Sequence, residues 1–202
     1  MIRPFGESAL LVELENTDQA QALAASLRSD PAPGVLESVP GLASLLVELD
    51  PLEADPELVA NGIERRIRGL DSAPSVGRVH KISVVYDGSD LEAVAALIGR
   101  TPSEVVALHT GRELRVLFCG FAPGFAYLGD LPPELRVARL ATPRTRTPAG
   151  SVAIAGPMTG IYPADLPGGW RVIGRTSVQL FDPHNDPPAL LLPGDRVRFE
   201  PA

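Results

Sequence analysis

The chain has 202 residues, 45% of them apolar, and a formal net charge of −7, which suits one large domain or two small ones. The acidity lies at the front: residues 1–77 hold 13 acids against 5 bases, and residues 78–202 hold 12 against 13. That balance argues against DNA or RNA, which call for a broad basic face with interleaved aromatics. A single cysteine, Cys119 in the apolar run RVLFCGF, excludes an internal disulfide and a cysteine-based zinc site, and reads as a buried small hydrophobe. The three histidines show no ligand spacing, so no metal site is expected. The opening MIRPFGESALLVEL has no long apolar h-region and no 18 apolar residues run together, the pattern expected of a soluble, cytoplasmic protein that does not enter a membrane.

The first elements alternate. Ser8 to Leu14 reads as a strand, Thr17 as the N-cap of a helix over Asp18 to Ser29, and Pro31, Pro33 and Gly34 as its end. Two β-type runs follow, Val35 to Val39 and Ala43 to Leu49, divided by Pro40-Gly41. Asp55-Pro56 opens a second helix with Leu58, Val59, Ile63, Ile67 and Leu70 at helical spacing. With the run Lys81 to Tyr86 the order becomes βαββαβ, the split βαβ pattern of a ferredoxin-like α+β sandwich. Asp71 to Gly77 is the natural linker, placing domains at 1–77 and 78–202, and the run Lys81 to Tyr86 can belong to either side of it.

The second part starts helical: Asp90 to Ile98 is amphipathic, and Thr101-Pro-Ser-Glu104 is a capping signal for a helix that ends near His109 and Gly111. Beyond Glu113 the pattern is all β, with runs Arg115 to Phe118, Ser151 to Ala155, Trp170 to Ile173, Val178 to Phe181 and Arg196 to Phe199 between Gly/Pro turns. Short strands so punctuated imply a barrel or sandwich.

Candidate chemistry gathers between Gly120 and Thr176. In GFAPGFAYLG, Pro123-Gly124 supplies a tight turn with positive φ at the glycine, and Phe121, Phe125 and Tyr127 either plug the end of a barrel or wall a ligand pocket. Between Leu135 and Phe181 stand Arg136, Arg139, Arg144, Arg146, Arg171 and Arg175 against one acid, Asp165. In PRTRTPAGS, Arg144 and Arg146 alternate, so an extended loop projects both guanidinium groups to one side, where they can grip a carboxylate or phosphate or else balance acidic residues. Further on, Tyr162 offers a hydroxyl, Arg175 another cation, and Trp170 beside Gly168-Gly169 an anchor for substrate or for a partner chain. His109 can cap a helix C-terminus or carry a proton; His80 and His184 are weaker candidates. There is no Walker-type phosphate loop, no Gly-x-Ser-x-Gly elbow and no zinc-protease motif.

The segments VVYDG, LHT, GFAPGFAYLG, LATPRTRTPAGSVAIAGPMTGIYP, PGGWRVIGRT, LFDP and PGDRVRF, in this order, resemble the family of the B-type subunit of 5-oxoprolinase, also called allophanate hydrolase subunit 1 or the Kip-type inhibitor of a sporulation histidine kinase. The resemblance is dense over residues 80–200 and looser before. It implies a ferredoxin-like first domain, a cyclophilin-like β-barrel second domain, and partners that are the C-type and A-type proteins of the 5-oxoprolinase complex. It further implies an ATP-dependent opening of 5-oxo-L-proline to L-glutamate, active only in the assembled complex, with ATP and Mg2+ used there and not assigned to this chain. Inhibition of a histidine kinase and hydrolysis of allophanate or another urea-derived amide are the alternatives. In this reading His109, Arg144, Arg146, Tyr162 and Arg175 carry the chemistry on a small anionic substrate. Phe121, Pro123, Gly124, Phe125, Ser151, Gly160, Gly168, Gly169, Trp170 and Thr176 line its site. Two departures stand out: Pro157 and Met158 replace the family's Gly-Gln, removing an amide that can both donate and accept, and Tyr86-Asp87-Gly88-Ser89-Asp90 shortens a YGGE-like turn.

Overall fold

The computed structural model describes residues 1–70 and 77–202. All of the linker segment Asp71 to Gly77 except Gly77 lies outside the described residues. The chain divides into two compact units, Met1–Val76 and Gly77–Ala202.

In the first unit, strands β1 (Ile2–Pro4), β2 (Ala9–Glu13), β3 (Val35–Pro40) and β4 (Ser44–Leu49) form one antiparallel sheet in the order β1-β2-β4-β3. Helices α1 (Thr17–Ser29) and α2 (Pro56–Gly69) supply the rest of its core. Alternation along β2 and β4 buries Leu10, Val12, Leu45, Val47 and Leu49 against Leu23, Leu27, Val59 and Ile63 of the helices. The cap of α1 is Asn16, whose side chain accepts the Gln19 N–H at 2.9 Å, and not Thr17, whose hydroxyl donates to Leu42 O at 2.7 Å. Asp55 caps α2 ahead of Pro56 as its sequence signals, but Leu58 turns to solvent at 67% exposure. The expected sixth element does not complete this sheet. The edge position beside β2 is taken by β1, a three-residue strand too short to show a period, while the run beginning at Val79 joins the other unit.

In the second unit, β5 (Val79–Val84) is followed by α3 (Leu91–Ile98) and α4 (Pro102–Thr110). Then come β6 (Leu114–Cys119), β7 (Ala126–Gly129), β8 (Arg144–Thr147), β9 (Ser151–Ala155), β10 (Met158–Ile161), β11 (Leu166–Gly168), β12 (Arg171–Arg175) and β13 (Arg196–Pro201). Seven of these make one sheet, β12-β9-β10-β7-β6-β13-β5, and β8 pairs with β11 beside it. The two edges of the large sheet meet: Val85 and Arg175 exchange both N–H···O bonds at 2.9 Å, so the sheet nearly closes into a barrel. Inward residues such as Ile82, Val84, Val116, Leu128, Ile154, Ile173 and Phe199 form its core with Leu91, Val94 and Val105 of the helices. The Thr101–Glu104 capping box is present at α4: Thr101 Oγ1 accepts the Glu104 N–H and the Glu104 carboxylate accepts the Thr101 N–H at 2.8 Å. The run Val178 to Phe181 is not a strand; only Phe181 pairs, with Ala189, because Pro183, Pro187 and Pro188 starve the return segment of donors. Among the described residues no helix is long and apolar enough to cross a membrane.

Candidate functional site

Where the barrel closes, a cavity of about 270 Å³ opens between the turn after β5 and the loop after β8. Asp87, Gly88 and Ser89 line one side, Thr147, Pro148, Ala149 and Ser151 the other, and Arg144, Val172, Gly174 and Arg175 lie between them. Backbone sterics dictate the glycines. A Cβ on Gly88 would run into the backbone of Val172, Ile173 and Gly174, so only glycine lets the turn lie flat on β12. Gly150 has φ +79° and a Cβ there would meet Thr176 O, so it too is required where the loop returns to the barrel.

Three arginine–aspartate pairs clamp this cavity. Arg144 Nη2 lies 2.6 and 2.8 Å from the two oxygens of Asp90, a buried carboxylate that also accepts the Val172 N–H at 2.6 Å, while Arg144 Nη1 donates to Trp170 O at 3.3 Å. Arg175 grips Asp87 from Nε at 3.0 and 3.1 Å and from Nη2 at 2.8 Å. The Arg175 guanidinium holds the Asp87 carboxyl below the usual carboxylate range, and Asp87 in turn raises Arg175. Arg146 pairs with Asp165 through Nε at 2.9 Å, and Asp165 also takes the Ala149 N–H at 2.9 Å. That N–H, and then Arg146, hold the Asp165 carboxyl low. Arg144 and Arg146 stand two residues apart on β8 and take different partners: Arg144 lines the cavity with Arg175, while Arg146, through Asp165, holds the loop after β8 that forms its far rim.

Ser151 also lines the cavity, and Thr176 stands next to it, its N–H bonded to Gly150 O at 2.9 Å. Tyr162 sits one layer behind: it is 2% exposed, its hydroxyl lies against Thr147 and the Trp170 backbone, and burial raises its pKa above the ordinary phenol value. Gly168 packs directly on the Tyr162 hydroxyl, and Gly169 near Pro143. Phe125, 2% exposed, stacks edge to face with Tyr127, Tyr162 and Trp170, and Trp170, 5% exposed, also with Tyr127, in an apolar cluster that shares Val172 with the cavity; Gly160 lies on the Phe125 ring. The Pro123-Gly124 turn has its positive φ at Gly124, +81°, and packs on Leu180 and Phe181, leaving Phe121 exposed.

His109 is placed elsewhere. It is fully buried at the end of α4, with Nδ1 2.7 Å from the Tyr86 hydroxyl, Nε2 3.0 Å from Thr159 Oγ1, and its ring stacked on Phe199 at 4.5 Å. Burial pushes its pKa down to about 3, so the ring is neutral in the physiological range and has no face on the cavity. Asp87 and Asp90, which organise the site, are the residues that sequence reasoning passed over as parts of a shortened turn. Their signal was their place: two acids at the only break between β5 and α3, opposite an arginine-rich stretch.

A family model, the carboxyltransferase domain, subdomain C and D, matches residues 1–191. The B-type subunit of 5-oxoprolinase from Escherichia coli O157:H7 is 44% identical over an alignment of 208 residues that covers 98% of this chain and 94% of that protein. The chain belongs to the family of 5-oxoprolinase B-type subunits. A crystal structure of TTHA0988 superposes with a TM-score of 0.86 at 39% identity and covers 100% of this oxoprolinase-family chain, which spans 40% of the length of TTHA0988. The urea amidolyase of K. lactis shares the fold at a TM-score of 0.80 and 21% identity, over 100% of this chain and 15% of that enzyme. In this member of the family, a doubly arginine-lined cavity lies at the seam of the barrel.

Proposed function

We propose that this chain is the component of an ATP-dependent 5-oxoprolinase that binds the anionic substrate, and that the Arg144–Arg175 cavity is where it does so. The supporting observation is that two aspartate-clamped arginines, Arg144 and Arg175, line one small cavity together with Ser151, in a chain 44% identical to a protein named as the B-type subunit of 5-oxoprolinase. Clamped arginines are preorganised: their side-chain entropy is already spent, and Arg175 keeps Nη1 for a ligand after Nε and Nη2 are engaged by Asp87. An unactivated lactam is a poor electrophile, and phosphorylation of its oxygen by ATP makes its carbon one that water can attack. The substrate carboxylate and the phosphoryl oxygens are the charges that guanidinium donors match. The carboxylate that lines the cavity, Asp87, and the Asp90 carboxylate beneath Arg144 are each engaged by an arginine, so the site is built to bind charge, and proton transfer falls to groups from the C-type and A-type partner proteins. With these the chain forms the cytoplasmic complex that uses ATP and Mg2+. In this reading the first unit is a ferredoxin-like sandwich with β1 in place of its last strand, the second a cyclophilin-like barrel, and the boundary lies at residue 77. The likeness to urea amidolyase is one of fold and does not favour an allophanate-type substrate.

The test is co-expression with the C-type and A-type proteins and measurement of 5-oxoproline-dependent ADP and glutamate release, omitting each chain in turn. Activity that needs this chain supports the proposal; an assembled complex without such activity sinks it.

A further inference from the structure

We infer that His109 is a positioning residue: locked as one tautomer between Thr159 and Tyr86, it holds the Tyr86–Asp90 wall of the arginine cavity in register. The inference rests on the reading of that cavity as the substrate site.

The proton positions follow from counting. The Thr159 hydroxyl has one proton and donates it to Ala153 O at 2.9 Å, so toward His109 Nε2, 3.0 Å away, it accepts. Nε2 therefore carries the ring proton. A neutral ring then has a bare Nδ1, which accepts the Tyr86 O–H at 2.7 Å. The chain Tyr86 → His109 → Thr159 → Ala153 O is satisfied at every step and runs one way. It links the segment after β5 to α4, β10 and β9, while Phe199 of β13 stacks on the ring. No water-exposed group enters it at His109, which is buried completely.

Tyr86 leads directly into the cavity. Asp87 receives Arg175, the Gly88 N–H donates to Ile173 O at 3.2 Å, and the Asp90 N–H donates to Val172 O at 2.9 Å. These weak and medium bonds lay the wall on β12, and the Tyr86 hydroxyl is the anchor that ties its start to the barrel core. Losing that anchor leaves one buried donor or acceptor unpaired and lets the wall shift, which moves Asp87 and hence Arg175. The depressed His109 pKa agrees with a strut and not with a proton carrier, which has to exchange protons near neutral pH.

The first test uses the full chain and needs no substrate. Ring nitrogen shifts in long-range 1H–15N spectra are expected to show His109 protonated at Nε2 alone, unchanged from about pH 8 to about pH 5. Amide exchange at Gly88 and Asp90 is expected to quicken by on the order of tenfold in Tyr86→Phe, while core amides of β9 stay protected. A ring that titrates in that range, a proton on Nδ1, or unchanged exchange at Gly88 overturns the inference whatever the substrate. In the assembled complex, Tyr86→Phe and His109→Leu should raise KM for 5-oxoproline about tenfold with kcat nearly unchanged. His109→Gln, whose amide can donate to Thr159 and accept from Tyr86, should recover most of it. A His109→Gln enzyme with normal KM and kcat lower by orders of magnitude would make His109 a proton carrier and overturn the inference. A wild-type complex without oxoprolinase activity would remove the proposed function and leave the spectroscopic result to decide the strut.

Discussion

Asp90 is shared between Arg144, which approaches both of its oxygens at 2.6 and 2.8 Å, and the Val172 N–H at 2.6 Å, so one buried carboxylate ties β8 to β12 at the entrance to α3. Its side chain is 11% exposed and that of Arg144 29%, so the pair is largely shielded from solvent. Removing one partner of such a pair strands the other and costs more than the pair contributes. Asp90→Ala is expected to lower unfolding free energy by about 3 kcal/mol and Asp90→Asn by less, because the amide oxygen still accepts one bond. Urea midpoints at neutral pH check the order.

The exposed pairs should behave differently. Arg146 is turned to Asp165 and Arg175 to Asp87, both at the surface, where ion pairs contribute little to stability. Neither Arg146→Ala nor Arg175→Ala should move the melting temperature measurably. In the assembled enzyme, however, Arg175→Ala should lower kcat/KM by roughly 10²-fold, on the scale of losing one preorganised donor, and Arg146→Ala by a few-fold at most. Steady-state kinetics on the two variants checks the contrast.

How far the sequence carried the reading is uneven, and the reasons are physical. The α4 capping box and the Asp55-Pro56 start of α2 were legible because caps are local chemistry: the residues that satisfy the first turn are neighbours in sequence. Strand β9 was legible because Ser151 to Ala155 is an unbroken run, buried on both faces. Strands β7, β8, β10 and β11 were not, since each is three or four residues long and carries Gly, Pro or Arg, so the tertiary pairing alone makes them strands. The site shows the same division. Arg144 and Arg175 could be picked out as cations in a Gly/Pro-rich stretch, but their carboxylate partners lie 54 and 88 residues away, and only barrel closure brings them together. In sequence His109 reads either as a cap, because its surroundings signal a helix end, or as a proton carrier, because it is the one histidine near motif-rich sequence, and nothing local shows that it packs against Phe199 and Thr159.

Acid stability reports on His109 directly. Its ordinary pKa of 6.5 in the unfolded chain falls to about 3 in the native protein. Between those values the unfolded chain binds a proton that the native state refuses, so stability rises with pH and falls as pH drops from 6.5 toward 3. The slope from this one group is about 1.4 kcal/mol per pH unit. His109→Gln should show a shallower loss of stability over that window than wild type, measured as denaturant midpoints at several pH values. Equal slopes would contradict the burial.

Gly88 provides a steric check on the closure of the barrel. A methyl group there would collide with the backbone of residues 172–174, which cannot withdraw without opening the Val85–Arg175 bridge. Gly88→Ala should cost about 2 kcal/mol or more and weaken substrate binding at the same time. Gly99→Ala serves as the comparison: Gly99 closes α3 at φ +67° with open space around its Cβ position. It should lose stability alone and leave KM unchanged, as thermal melts and kinetics on both variants will show.

The central claim, that Arg175 in this chain reads the substrate carboxylate, is tested most directly by pairing a change in the enzyme with a change in the substrate. In the assembled complex, kcat/KM would be measured for 5-oxo-L-proline and for 2-pyrrolidinone, the same lactam without the carboxylate, with wild-type chain and with Arg175→Gln. If the cavity holds the carboxylate, wild type prefers 5-oxoproline by orders of magnitude and Arg175→Gln loses most of that preference. A preference that survives the substitution intact would place carboxylate recognition elsewhere in the complex and contradict the claim.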